Sequence, residues 1–217
     1  MNSSKIFDKY VLNNGIEIKN RLAVAPMTLF VANEDGTFSD EDFKFMGNRG
    51  ENIGMFIVEA TLVADGGKAF VRQPEAINET HLLALRKVAE ILQKQGTKAI
   101  LQIHHGGRLA IPAVNTNDII APSYDEETGA REMTVQEIHN LIKAFGNAAD
   151  LAIQAGFDGV EIHGANRYLI QQFYSGITNR RTDEWGGSIE KRMKFPLAVI
   201  DEVNKVKNKH NADKFII

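Results

Sequence analysis

Residues 160–168, Val-Glu-Ile-His-Gly-Ala-Asn-Arg-Tyr, put a histidine, a carboxamide and a phenol within six residues, just where an apolar strand-like run gives out. Alternate side chains of an extended strand share a face, so Glu161 and His163 point one way and Val160 and Ile162 the other. Asn166 and Tyr168 fall on the following turn and first helical residues, within reach of the space His163 faces. Each has a structural reading by itself: a satisfied histidine, or a tyrosine anchoring a helix. Three hydrogen-bonding groups at one strand end point instead to a binding or catalytic site.

Other residues could also carry chemistry. Glu59 and Glu161 sit in apolar runs, and a buried carboxylate must be paired or hydrogen-bonded. Arg21, Arg108 and Arg181 are candidate partners; general acid–base work is the other reading. His104-His105 raises a metal reading. Neighbouring strand residues face opposite ways, so only one of them can join His163, and a carboxylate would be needed to complete the ligands. A metal-dependent barrel hydrolase or lyase would use that set.

The elements that must position these residues alternate along the chain. YVL and IEI flank Asn13-Asn14-Gly15, which reads as a hairpin with a type I′ turn within residues 1–20. Strand-like runs follow at 22–27, 55–61, 98–105 and 159–163, and KFII at the end looks like a fifth. Between them lie helical patterns: a loose one over 39–52, and one over 79–95 with Leu82, Leu85, Val88, Ala89 and Leu92 on one face and Gly96 at its end. A third opens at Thr134 and Glu137, a capping box, carries Ile138, Leu141, Ile142, Phe145 and Ala149, and closes at Gly156. A fourth spans 188–208, capped by Ser188, with Pro196 marking a kink or a fresh start. Residues 106–133 form a long loop.

Alternating βα units mean a parallel sheet, open or closed. Thr28, Gln102, His104 and His163 all fall at C-terminal strand ends, where barrel enzymes build their sites. An open dinucleotide-binding sheet would place a glycine-rich loop after the first strand, and APMTLF is not one. The fold class expected is therefore α/β, a (β/α)8 barrel over 21–217 as one domain. Only about four and a half of its units fit in 217 residues, whereas eight of this size need well over about 300. The expectation is the N-terminal part of a longer chain.

The net charge of −3 offers no field for nucleic acid or an anionic membrane. No cysteine is present, which excludes disulfides and thiolate chemistry within this stretch and fits a reducing, cytoplasmic setting. The longest apolar run is broken by Glu59 and is too short to span a bilayer.

Four motifs in order resemble the Old Yellow Enzyme, or NADH:flavin oxidoreductase, family: NRLAVAPMT (20–28), VEATLV (58–63), LQIHHGGR (101–108) and VEIHGANRYLIQQFYSGITNRRTDEWGGSIEKR (160–192). The resemblance implies a barrel holding FMN, reduced by NADH or NADPH, and a small enone- or enoate-type substrate. It implies that Pro26, Met27 and Thr28 contact the flavin ring, that Ala60 lets the ring approach the backbone, and that Gln102 bonds its pyrimidine edge. His163 and Asn166 would bind the substrate carbonyl oxygen and Tyr168 would donate the proton. Homo-oligomerisation is left open, and a non-catalytic half-barrel is the non-enzymatic alternative. This sequence departs from the family pattern at Arg167, where glycine is usual, at Trp185 for tyrosine and at Gly106 for alanine. A long cation at 167 could narrow the pocket or select an anionic substrate. The family's flavin-contacting arginine after strand five and its phosphate loops fall beyond Ile217, so weak FMN binding is expected of these residues alone.

Overall fold

The computed structural model describes residues 3–115 and 118–217. In chain order the elements are β1 (Tyr10–Val11), β2 (Glu17–Ile18), β3 (Ala23–Val24), α1 (Asp40–Met46), β4 (Met55–Leu62), α2 (Leu82–Gln93), β5 (Lys98–His104), β6 (Ile120–Ala121), β7 (Arg131–Glu132), α3 (Val135–Ala155), β8 (Gly159–Ile162), α4 (Leu169–Tyr174), α5 (Ile189–Arg192) and α6 (Lys194–Lys209). Strands β3, β4, β5 and β8 form one parallel sheet in that spatial order. Each new strand is added beside the last with no reversal. That is the winding of a barrel wall, whereas an open doubly wound sheet reverses direction.

The sheet's outer face supplies Phe56, Val58, Leu101, Ile103 and Val160 to a core shared with Leu85, Val88, Leu92, Ile138, Phe145 and Val199 of α2, α3 and α6. Alternation then turns Gln102 and Glu161, which are register partners, to the inner face. The β4–β5 register shifts between Val58 and Thr61. Such an irregularity re-aims side chains, and Ala60 next to it lines the inner cavity.

Several boundaries differ from expectation for local reasons. The hairpin forms, but its loop holds three residues: Gly15 N–H donates to the Leu12 carbonyl and Leu12 N–H to the Ile16 carbonyl, both at 2.8 Å. Gly15 takes φ +80° while neither Asn13 nor Asn14 has positive φ, which rules out a type I′ turn. The first barrel strand is only Ala23–Val24, and residues 25–33 run on irregularly. Helix α1 stops at Met46, because Gly47 and Gly50 follow and helix propensity collapses. Its Ser39–Asp42 capping box and the Thr134–Glu137 box of α3 both form. The 188–208 pattern breaks at Met193, so Pro196 lies in the first turn of α6, where a missing N–H costs nothing. The 106–133 loop contains β6 and β7. The expected fifth strand is a single bridge: Ile216 N–H donates to the Asp158 carbonyl and the Ile216 carbonyl accepts from Val160 N–H, both at 2.9 Å.

Among the described residues, no arginine pairs with Glu59 or Glu161. Arg21 donates to the Lys5 and Asp8 carbonyls, Arg108 pairs with Asp125 at 2.8 Å, and Arg181 with Asp183 at 2.6 Å. Glu59 instead accepts the Leu29 N–H at 2.9 Å through one oxygen. Its other oxygen is buried, as is Oδ1 of Asp42, and neither has another partner. Burial pushes the Glu59 carboxyl up to about 8, opposed by the Leu29 N–H and reinforced by Asp42. A proton on Glu59 donated to Asp42 satisfies both orphaned oxygens. The pair ties β4 to α1, while Leu29 ties it to the loop after β3.

The β8–α4 connection is a tight turn. Tyr168 N–H donates to the Ala165 carbonyl at 3.1 Å, and the two central residues, Asn166 and Arg167, have φ of +55° and +64°. This is the type I′ geometry, which favours asparagine and glycine. Arginine there carries the steric cost of a left-handed residue, about 1 kcal/mol.

Two outcomes follow from these features. A group whose folded pKa is raised, as that of Glu59 is above the ordinary carboxylate range, adds stability that is complete below its unfolded pKa. That stability is lost as pH rises through the folded value. In urea unfolding at pH 5.5, 7 and 9, the stability of Glu59→Gln relative to wild type should therefore grow with pH; a difference independent of pH would mean Glu59 is already ionised. Arg167→Gly should raise the melting temperature by about 2–4 °C at most, since glycine's added unfolded-state entropy offsets part of the gain. A fall in a thermal scan would mean the Arg167 side chain holds the fold.

Candidate active site

A cavity of about 450 Å3 opens at the C-terminal ends of the parallel strands. Its lining comes from four successive connections: Pro26 and Thr28 after β3, Ala60 at the β4 irregularity with Phe70 beyond it, Gln102 from β5, and Glu161, His163, Asn166 and Tyr168 from β8 and its turn. The structure thus gathers seven of the eight residues that the family resemblance assigns to the flavin and substrate. Met27 is the exception. Its side chain is exposed and turns to the opposite side of the irregular segment, beside Leu29, Phe45 and Phe56.

Burial keeps the site's histidines neutral. It lowers the pKa of His163, opposed by a hydrogen bond to its own backbone and by the charge of Glu161. Ala165 N–H donates to His163 Nδ1 at 3.4 Å, which leaves the ring proton on Nε2 and makes that atom a donor. Burial raises the Tyr168 hydroxyl, so it holds its proton. Among the described residues, neither the Tyr168 hydroxyl, the Asn166 amide nor the Thr28 hydroxyl has a side-chain hydrogen-bond partner. Gln102 Nε2 donates to Glu161 Oε1 at 2.6 Å, fixing both inside the lumen.

His104 is a supporting residue that the metal reading misassigned. It is fully buried, and its ring lies edge-to-face against Tyr168 (centroids 4.4 Å) and against His163 (5.0 Å), with Phe70 at 5.8 Å. Gln73 Nε2 donates both to the Ala60 carbonyl (3.0 Å) and to His104 Nδ1 (3.1 Å). Desolvation, aided by His163 and His105, holds His104 well below the usual histidine range. His105 faces away, accepts from Gly107 N–H at 3.1 Å and is pushed down to about 4 by burial. No group of three histidines, cysteines or carboxylates suited to a metal ion occurs among the described residues. Phe70, Gln73 and the packing role of His104 were missed because aromatic contacts across separate loops leave no local pattern.

The strongest sequence motif proves to be scaffolding beyond Tyr168. Asn179 Nδ2 donates to the Phe173 and Trp185 carbonyls at 2.7 and 2.8 Å. Arg181 donates to the Pro122 and Met133 carbonyls and chelates Asp183. Trp185 is buried against His139. These bonds pin the 106–133 loop to the segment after α4.

The donor set suits the ring of a flavin. Pro26 and Ala60 offer small apolar contacts, and the Thr28 hydroxyl and Gln102 amide match a heterocycle edge that alternates donors and acceptors. The lining holds no lysine or arginine, so a phosphate has no cation there.

The chain is similar to known proteins over nearly its whole length. A probable NADH-dependent flavin oxidoreductase of Bacillus subtilis is 47% identical over 217 residues, 98% of this chain and 58% of the relative. The NADH:fumarate oxidoreductase of Klebsiella pneumoniae is 44% identical over 221 residues, 99% of this chain and 24% of that protein. The Old Yellow Enzyme structure from Pichia sp. superposes with a TM-score of 0.88 at 34% identity, over 97% of this chain and 58% of that one. The chain therefore spans a little over half the length of the first of these relatives. Residues 5–215 match the model of the NADH:flavin oxidoreductase / NADH oxidase family, and the chain belongs to that family.

Proposed function

We propose that this chain is one domain comprising the first four βα units and the opening of the fifth strand of an FMN-binding (β/α)8 barrel, and that the whole protein is an NAD(P)H-dependent reductase of activated alkenes. The observation that carries the reading is the set of uncommitted donors, Asn166, Tyr168 and Thr28, beside neutral His163 around one cavity. Pro26, Thr28, Ala60 and Gln102 would hold the flavin ring; Met27, with its side chain turned away, would contribute through its backbone. When bound, the flavin supplies hydride from a reduced nicotinamide to the alkene β-carbon.

The protein's own groups do the rest. His163 Nε2–H and the Asn166 amide donate to the substrate oxygen, on which negative charge grows. Donors fixed before reaction stabilise that charge without reorganising. Both are neutral, so they favour the charged transition state without clamping an uncharged carbonyl in the ground state. Tyr168, held protonated by burial, delivers a proton to the α-carbon as general acid. His104 and Phe70 fix the plane of its ring. The relative named for fumarate supports an enoate-type substrate.

Tyr168→Phe should slow alkene reduction by about 10²-fold or more while flavin reduction by NAD(P)H, followed separately by stopped flow, stays near wild type. Equal loss in both half-reactions would refute the proton-donor role. His163→Ala should weaken the binding of phenolic ligands, read by titrating the flavin spectrum, by about tenfold or more. Unchanged binding would remove His163 from the oxygen-binding site.

A further inference from the structure

Arg167 is unlike the chain's other arginines. Each of those has its guanidinium bonded to a carboxylate or a backbone carbonyl: Arg72 to the Ala32 carbonyl, Arg108 to Asp125, Arg131 to Asp118 and Glu137, Arg180 to the Ile177 carbonyl, Arg181 to Asp183. The guanidinium of Arg167 has no hydrogen bond, ion pair or aromatic partner among the described residues, and the residue is exposed. Only its backbone is engaged. The N–H donates to Gln171 Oε1 at 2.6 Å, and the carbonyl accepts from Gln172 Nε2 at 2.7 Å. Those bonds hold it at φ +64°, a conformation glycine would adopt without strain.

The position is at the site. Arg167 lies between Asn166 and Tyr168, both of which line the cavity, and its charge acts on the Tyr168 hydroxyl. Inside the cavity the lining has one charged group, the Glu161 carboxylate, and no cation. An anionic group is therefore disfavoured at depth and favoured at the rim. A substrate with a carbonyl at one end and an anion at the other would be oriented by that gradient, with the carbonyl toward His163 and Asn166 and the anion toward Arg167. A guanidinium is the side chain suited to a carboxylate, which it can bind through two parallel hydrogen bonds.

We propose that Arg167 makes this pocket selective for alkenes bearing a carboxylate beyond the activating carbonyl, an unsaturated keto acid or dicarboxylate, by binding that carboxylate at the rim. The inference rests on the alkene-reductase reading above.

The test uses the flavin-loaded protein and two substrates that share one ketone-activated alkene, β-acetylacrylate and its methyl ester. Arg167→Gln should lower the ratio of kcat/KM for the acid to that for the ester by about five- to tenfold, mostly through KM, as expected for a solvent-accessible charged hydrogen bond. Arg167→Lys should retain part of the preference, and raising salt should erode the wild-type preference but not that of the glutamine variant. A ratio unchanged in Arg167→Gln would overturn the inference, as would equal losses on acid and ester, which would mark an effect of turn shape. A rise in KM for NADH alone would assign the cation to the reductant's phosphates and also overturn it. A wild type that reduces neither compound yet is reduced by NADH would sink the alkene-reductase reading itself.

Discussion

The side-chain amide of Gln172 joins the two strand ends on which the site is built. It is buried on α4, donates to the Gly106 and Arg167 carbonyls at 3.0 and 2.7 Å, and accepts the Arg108 N–H at 3.0 Å. One carboxamide thus fixes the exit of β5 and the turn after β8 at once. It comes so close to the backbone that a Cβ at Gly107 would stand 2.2 Å from its oxygen, and Gly107 has φ +57° besides. The Leu169 N–H bond to the His105 carbonyl adds a second tie between the same segments. With those segments fixed, the His104, His163 and Tyr168 rings pack edge-to-face on one another.

Burial then decides charge. Around the C-terminal strand ends, desolvation pushes Glu59 toward its protonated form and His104, His105 and His163 toward their neutral forms. A pocket whose donors are neutral but fixed can stabilise charge that appears only during reaction. Cations near it would have done the opposite, binding the anionic ground state of any acid just as well. This is why position matters for Arg167: at the rim it can orient an acid without replacing the neutral donors within.

Much of this was legible in the sequence because it is local. Strand alternation placed His163 and Glu161 on one face, a capping box marked α3, and the run of polar residues at strand ends located the cavity. What stayed hidden is non-local. Glu59 looked as if it needed an arginine, and its partners are a backbone N–H thirty residues away and another carboxyl. Gln73 and Gln172 have no signature, since a glutamine in sequence does not reveal whose carbonyl it will meet. Met27 was assigned by resemblance alone, and its irregular segment has no ladder from which the direction of its side chain could be read. The hairpin loop failed more narrowly: Asn-Gly allows a two-residue turn, but the register of Tyr10 against Ile18 leaves three residues to close it.

Motif density does not by itself separate chemistry from scaffolding. The run from Asn179 to Gly187 is as recognisable as the site itself, yet its bonds go to backbone carbonyls and to one another. A Cβ at Gly186 would stand 2.4 Å from the Arg181 carbonyl oxygen, so glycine there is a packing requirement. A segment that anchors a long loop constrains nearly every residue it contains, and such constraint reads in sequence just as chemistry does. Position 167 is the converse case. Its backbone conformation asks for glycine, its side chain supports nothing in the fold, and a charged residue stands there at a steric cost. Where folding cannot account for a residue and the residue borders a binding cavity, the ligand is what remains to account for it.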